Sequence, residues 1–133
     1  MKPDIHTTVP GEWTGYEPLY QGRKISLKQQ THLDYFLEAA HISPQAAALS
    51  MGEQTLSYAE VLYSVNALAA WMLEDSNIKR GDRVALYLPN SLTYLISVLA
   101  SWRAGLVVVN LNSLSEHIDL LTQLQDSGAK ILI

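Results

Sequence analysis

The second half of the chain alternates strand-like apolar runs with stretches of helical period, and this order constrains the fold more than any other feature. From Lys79 onward, the runs "RVALYL", "LVVVN" and "KILI" are separated by two helical stretches, one from about Leu92 to Ala104 and one between Ser115 and Gly128. Strands joined by helices through short connections pair in parallel, with right-handed crossovers. The sequence therefore predicts an α/β fold with a doubly wound, mostly parallel sheet and flanking helices.

Local signals predict how these elements are covered and capped. "RVALYL" and "LVVVN" lack a polar face, which is typical of parallel strands that are covered on both sides. By accepting a backbone N–H, Asn90 or Ser91 can cap the first helical stretch and Ser115 can cap the second. Gly105 and Gly128 fit the left-handed position that closes a helix. The face expected to be buried in the first stretch consists of Leu95, Val98, Leu99 and Trp102, and the apolar residues of the second are Ile118, Leu121 and Leu124.

Upstream, the chain predicts a short helix, a hairpin and a long helix. Thr31 can cap the short helix, which Pro44 ends, and Gly52 suits the first position of a two-residue, type II′ hairpin turn. Ser57 and Glu60 have the spacing of a capping box. The long helix that follows carries a stripe at helical spacing, namely Tyr58, Val61, Leu62, Val65, Leu68, Ala69, Met72 and Leu73.

These elements divide the chain into two predicted parts. Residues 1–30 show no period, and their aromatic residues among glycines and prolines indicate an extended N-terminal arm. Residues 31–133 form the body, which stops at Ile133 inside an apolar strand. Because such an end would leave a hydrophobic sheet edge unprotected, we expect the sequence to be the front part of a longer protein.

The composition excludes several classes of function. The 133 residues are 48% hydrophobic, include no cysteine and carry a net charge of −4. The acidic balance argues against nucleic-acid binding. The lack of cysteine excludes disulfides and thiolate metal ligands and fits a reducing compartment, so we expect the cytoplasm. The uncharged segment Val84–Trp102 is long enough to span a bilayer, but its proline, asparagine and hydroxyl residues favour a strand followed by a helix.

Motifs that carry chemistry are absent from the sequence. Its glycines form neither GxxxxGK[ST] nor GxGxxG, and its histidines lack metal-ligand spacing such as HExxH. The tripeptide "RGD" at Arg80–Asp82 leads directly into "RVALYL" and is interpreted as the entry to a core strand, not as an adhesion ligand.

Position in the fold points to one candidate site. In open α/β sheets, ligands bind beyond the carboxyl ends of the strands. Those ends are Pro89–Ser91 and the run Asn110, Leu111, Asn112 and Ser113. The run either lines a ligand channel or consists of ordinary turn residues, which asparagine and serine favour in any case.

Four blocks between Leu56 and Ile133 resemble the adenylate-forming (AMP-binding) acyl-CoA synthetase family. They are "LSYAEV", "IKRGDRVALYLPNS", "RAGLVVVNLN" and "QLQDSGAKILI", and their order and spacing match the family together. "MGEQTLSY" and "AGLVVVNLN" are most similar to medium- and long-chain fatty acid–CoA ligases. The resemblance implies an incomplete N-terminal subdomain of that enzyme fold, truncated at its C-terminal end.

The resemblance also implies a two-step reaction for the full-length parent. A fatty acid carboxylate attacks ATP to give an acyl-adenylate and pyrophosphate, and the thiol of coenzyme A (CoA) then displaces AMP. ATP, Mg²⁺ and CoA are the implied cofactors of the parent, with none expected for this chain alone. The family's phosphate loop, magnesium carboxylate and catalytic lysine lie downstream, so no catalytic residue is assigned here and the chain alone is expected to be inactive.

The resemblance places the run Asn110–Ser113 near the CoA entry side of some members. After Asn112, however, the family usually has proline, and long-chain relatives continue with a run like "YTPRE". This chain has "SLSEHIDL", in which only Asp119 and Leu120 match. The acyl-chain length is therefore left open.

Other functions stay open at this point. The chain can instead be a short non-catalytic remnant that pairs with a partner, or with itself as a homo-oligomer, through the strand "KILI". A third possibility is a general Rossmann-like nucleotide binder, but this sequence lacks the phosphate loop of such proteins. Peripheral membrane association through the arm 1–30 also stays open, although nothing basic or amphipathic there supports it.

Overall fold

The elements follow the predicted order. The structure is a computed structural model that describes residues 19–20, 23–24, 30–74 and 77–133. Its elements are β1 (Leu19–Tyr20), β2 (Arg23–Lys24), α1 (His32–Ile42), β3 (Ala47–Met51), β4 (Gln54–Ser57), α2 (Tyr58–Glu74), β5 (Arg83–Leu86), α3 (Leu92–Arg103), β6 (Val107–Asn110), α4 (His117–Ser127) and β7 (Ile131–Leu132). Strands β1 and β2 pair antiparallel; the rest of the predicted arm lies outside the described residues.

The main sheet is parallel and doubly wound, as predicted. Strand β5 lies in the centre and pairs with β6 on one side and β7 on the other. The chain runs outward from β5 to β6 through α3, then returns past β5 to β7 through α4. Because such crossovers are right-handed, reversing their direction places the two helices on opposite faces of the sheet. The predicted hairpin is also present, as the antiparallel pair β3–β4.

The core lies between the central strand and the helices α2 and α3. Val84, Ala85 and Leu86 of β5 are fully buried, so this strand is covered on both faces as predicted. Most of the predicted stripe of α2 faces this core, whereas Leu73 at its far end is exposed. The buried residues of the cluster are Val61, Val65, Ala69, Met72, Val84, Leu86, Ala100, Ala104 and Leu106.

The predicted helix starts are confirmed at three places. The Thr31 hydroxyl accepts the Asp34 N–H at 3.2 Å, and the Ser57 hydroxyl accepts the Glu60 N–H at 3.3 Å. In both cases the carboxylate reaches back to the capping residue's own N–H, at 2.8 Å. That bond lowers the pKa of each carboxyl below its ordinary value. Ser91 caps α3 by accepting the Tyr94 N–H at 3.1 Å.

The predicted buried face of α3 is wrong in two of its four residues, since Val98 and Leu99 do pack against the core. Leu95 is 43% exposed and Trp102 is also exposed, whereas Ser97, Ala100 and Ser101 are buried. The reason is that α2 packs against the side of α3 that carries small residues, because short side chains let two helices approach closely. Leu95 and Trp102 lie on the side of α3 that stays exposed.

Strand β6 also differs from the prediction that both of its faces are covered. It pairs only with β5 and forms an edge of the three-stranded sheet among the described residues. Val108 packs against the core, but Val107 on the opposite face is 49% exposed. For β6, the lack of polar residues therefore wrongly predicted a strand that is covered on both faces.

The start of α4 differs as well. Glu116, not Ser115, occupies the N-cap, and its side chain makes no capping hydrogen bond. Gly128 closes the helix in the left-handed conformation, with φ of +60°, as predicted. Ile118 is 72% exposed and Leu121 is also exposed, so only part of the expected apolar face of α4 is covered by the described residues.

Candidate functional site

The carboxyl edge of the sheet brings together the ends of all three parallel strands. The Leu111 N–H donates to the carbonyl of Leu86 at 3.0 Å, and the Tyr87 N–H donates to the carbonyl of Ile133 at 2.7 Å. These bonds extend the ladder just past the strands. The segment after β6 therefore begins directly beside the end of the central strand, where ligands of open α/β sheets bind.

That segment, taken together with Asn110 at the end of β6, comprises residues 110–116 and is referred to here as the carboxyl loop. Asn110 is exposed, and its side-chain Oδ1 accepts a hydrogen bond from the hydroxyl of Tyr94 on α3 at 3.1 Å. Because Oδ1 takes this bond, the Asn110 amide nitrogen remains a two-proton donor on the other side of the side chain. Leu111, the next residue, is buried and anchors the loop to the core.

The middle of the carboxyl loop is a turn built around Asn112. Its side-chain Oδ1 accepts the Leu114 N–H and its carbonyl accepts the Ser115 N–H, both at 3.0 Å. The carbonyl of Ser115 in turn accepts the hydroxyl of Tyr87 at 3.0 Å, and this bond is partly buried. Asn112 thus bonds its own backbone, as asparagine does in Asx turns.

The four predicted site residues therefore lie in different surroundings. Asn110 and Asn112 are exposed, Ser113 is half-buried and Leu111 points into the core. Only Asn110 combines exposure with a side-chain orientation that is fixed by a neighbouring element. Its amide donor can bind a ligand oxygen, whereas Asn112 and Leu111 mainly shape the loop. Binding of CoA by these four residues stays a prediction.

Two residues that bond to this loop were not predicted as part of the site. Tyr87 and Tyr94 were predicted only as a strand residue and a helix residue, yet their hydroxyls hold the two ends of the carboxyl loop. One usable signal was present: Tyr87 interrupts an otherwise aliphatic run at the end of a buried strand. A tyrosine with a buried ring usually finds a partner for its hydroxyl.

The opposite, amino edge of the sheet is held by a charged residue. Asp82 Oδ2 accepts the backbone N–H of Lys79 at 2.7 Å and lies 2.8 Å from the Nζ of Lys130. The hydrogen bond from Lys130, and next that from the Lys79 N–H, lower the pKa of Asp82 below its ordinary value of 3.8. The "RGD" tripeptide is therefore part of a strand-entry turn, as predicted, with its carboxylate already bonded within the chain.

Two concave surfaces lie near these edges. A groove of about 560 Å³ runs along α3 and β6 up to Tyr94 and Asn110, and its walls are mostly apolar. A cavity of about 590 Å³ lies between the start of α1 and the end of α3, near Arg80 and Arg103.

The described part of the chain contains no cluster of three or more side chains suited to a metal ion. It also contains no helix long and apolar enough to cross a membrane.

Comparison with known proteins identifies the family. The AMP-binding enzyme family matches residues 36–133. The chain belongs to this family. Among curated relatives, a long-chain-fatty-acid–CoA ligase of Haemophilus influenzae is 39% identical over 107 residues, which are 80% of this chain and 19% of that protein. A feruloyl-CoA synthase of an Amycolatopsis species is 40% identical over 94 residues, 71% of this chain and 19% of that protein.

Solved structures share the fold of this chain. The N-terminal subdomain of Klebsiella oxytoca NpsA superposes with a TM-score of 0.68 at 31% identity, covering 77% of this chain and 26% of that one. The O-succinylbenzoate CoA synthetase of Bacillus subtilis, in complex with AMP, gives 0.66 at 28% identity, covering 74% and 26%. The chain thus spans about a fifth of the length of the curated relatives it matches.

Proposed function

We propose that this chain is the front segment of an ATP-dependent fatty acid–CoA ligase. The observation that carries the proposal is the 39% identity to a long-chain-fatty-acid–CoA ligase over 80% of the chain, within a parallel sheet of the same family's fold. The full reaction would join a fatty acid to CoA in the cytoplasm and convert ATP to AMP and pyrophosphate, with Mg²⁺ as cofactor.

In this proposal, the chain supplies a scaffold and one ligand-facing loop. The run Asn110, Leu111, Asn112 and Ser113 would form the loop on the CoA side, with the buried Leu111 as its anchor, and the exposed amide donor of Asn110 suits phosphate or carbonyl oxygens of CoA. The chain by itself should not catalyse adenylation, because its sequence contains no phosphate loop and its described part contains no metal-ligand cluster.

The test is a pair of chimeras. The matched segment of this chain replaces its counterpart in the Haemophilus influenzae fatty acid ligase and, separately, in the Amycolatopsis feruloyl-CoA synthase. We expect acid-dependent AMP release and acyl-CoA formation in the fatty acid host, and much weaker activity in the feruloyl host. Activity only in the feruloyl host would overturn the fatty acid assignment, and inactive but folded chimeras of both would contradict the scaffold role.

The purified 133-residue chain provides the companion measurement. With palmitate, ATP and Mg²⁺, it should show no exchange of labelled pyrophosphate into ATP. Clear exchange would show that the chain holds the adenylation machinery itself, which the proposal denies.

The alternative, a non-catalytic chain that pairs through a sheet edge, has one observation in its favour. Strand β7 pairs only with β5 among the described residues, and Leu132 on it is half exposed. Edge pairing would make the purified chain a homo-oligomer at micromolar concentration in sedimentation velocity. A monomer there, together with an active fatty acid chimera, would exclude this alternative.

A further inference from the structure

The carboxyl loop is held at both ends by tyrosine hydroxyls that come from different elements. Tyr94, on the first turn of α3, donates to the Asn110 side chain at 3.1 Å, and Tyr87, just after β5, donates to the Ser115 carbonyl at 3.0 Å. The bonds join residues 16 and 28 positions apart in sequence. The loop is thus tied to the two elements that flank it in space.

The two bonds act on different parts of the loop. The Tyr94 bond selects one orientation of the Asn110 amide, which directs the Asn110 Nδ2 donors away from α3. The Tyr87 bond fixes the carbonyl of Ser115, whose own N–H closes the Asn112 turn. One hydroxyl therefore orients the exposed donor, and the other fixes the backbone that follows it.

We propose that Tyr87 and Tyr94 are positioning residues that hold the carboxyl loop in the shape that a ligand meets at this edge of the sheet. The inference rests on the proposed function for the identity of the ligand, CoA. Neither tyrosine needs to touch CoA: each acts through a loop group to which it is bonded. Removal of either hydroxyl should weaken CoA binding without changing the adenylation step.

The first test uses amide hydrogen exchange on the chain itself. Tyr87→Phe keeps the ring and removes only the hydroxyl, so the Leu114 and Ser115 amides of the turn should exchange about 3- to 10-fold faster, as expected for loss of one hydrogen bond. Tyr63→Phe is the matched control, because Tyr63 is 78% exposed on α2. It should leave both amides unchanged. Equal exchange rates of these amides in Tyr87→Phe and the wild type would overturn the proposal that Tyr87 holds the loop.

The second test separates positioning from a general loss of structure. In the active fatty acid chimera, Tyr87→Phe and Tyr94→Phe should each raise the KM for CoA about 3- to 10-fold, while the KM for ATP and the rate of pyrophosphate exchange stay within about twofold. A comparable impairment of all three quantities (both KM values raised and pyrophosphate exchange slowed), or an unchanged KM for CoA, would overturn the inference. If the chimera without a tyrosine substitution is inactive, the proposed function is contradicted. The hydrogen-exchange test then decides by itself whether the tyrosines hold the loop.

Discussion

The two edges of the parallel sheet are built from different chemistry. At the amino edge, the charged carboxylate of Asp82 accepts the Lys79 N–H and pairs with Lys130, so its Oδ2 is bonded within the chain. At the carboxyl edge, the bonds are neutral, from tyrosine hydroxyls to an amide and a carbonyl, and Asn110 keeps an exposed amide donor. The comparison indicates that the amino edge joins strands, whereas the carboxyl edge is left able to bind a ligand.

The largest loss of stability should come from a substitution in β5, the central strand that connects the two edges. Leu86 is fully buried at the end of β5, so Leu86→Ala should reduce the free energy of unfolding by about 2–5 kcal/mol. Urea denaturation followed by circular dichroism measures this change. Leu114→Ala is the control, because Leu114 is almost fully exposed in the carboxyl loop, and it should cost less than about 0.5 kcal/mol. Similar losses for both variants would contradict the assigned core.

A smaller effect is expected from the glycine that closes α3 near the amino edge. Gly105 has a φ of +75°, and an added Cβ would lie 2.9 Å from the Cγ of Arg80. Gly105→Ala should therefore lower the free energy of unfolding by about 2–3 kcal/mol, from left-handed strain plus this contact. Gly52→Ala carries the same strain in open space and should cost about 1 kcal/mol. Thermal unfolding of the two variants gives the difference, and the reverse order would count against the Arg80 contact.

Loss of a helix cap near the carboxyl edge should cost about 1 kcal/mol of stability. Ser91 caps α3 through its hydroxyl, so Ser91→Ala should lower the free energy of unfolding by about 1 kcal/mol in urea denaturation. Ser115 is not the cap of α4, so Ser115→Ala should change it by less than about 0.5 kcal/mol. Equal losses would mean that Ser115 caps α4 after all, as its sequence position suggested.

The smallest effect should be the pH-dependent one at the amino edge. The pKa of Asp82 is lowered in the folded chain, so its carboxylate adds stability above its ordinary pKa of 3.8 and loses that contribution as the pH falls through the lowered folded value. Asp82→Asn should show a lower urea midpoint than the wild type at pH 7, with the two converging at acidic pH. Asp126→Asn, at an exposed position on α4, serves as the control. A constant difference at all pH values would show that Asp82 acts by something other than its charge.

Features that depend on neighbouring residues were predictable from the sequence. The capping interactions of Thr31, Ser57 and Ser91 join residues three positions apart, so their spacing alone was informative. The order of strands and helices followed in the same way from local period and turn residues. The parallel pairing of β5 with β6 and β7 then follows from the short helical connections.

Features set by the approach of distant elements were not predictable. Helix α3 carries apolar residues around most of its circumference, so its period could not show that Ser97, Ala100 and Ser101 would be its buried residues. The bond between Tyr87 and Ser115 spans 28 positions and depends on the path of the loop after β6. At the candidate site, the sequence thus predicted the position of the loop but not the tyrosines that hold it.

We expect the carboxyl edge of the sheet, and not the amino edge, to contact the ligand. The most direct measurement compares Asn110→Ala with Arg80→Ala in the active fatty acid chimera by the KM for CoA. We expect Asn110→Ala to raise it about 3- to 10-fold, because a hydrogen bond to the ligand is lost, while Arg80→Ala stays within about twofold of the wild type. A raised KM for CoA in Arg80→Ala, with Asn110→Ala unchanged, would contradict this expectation.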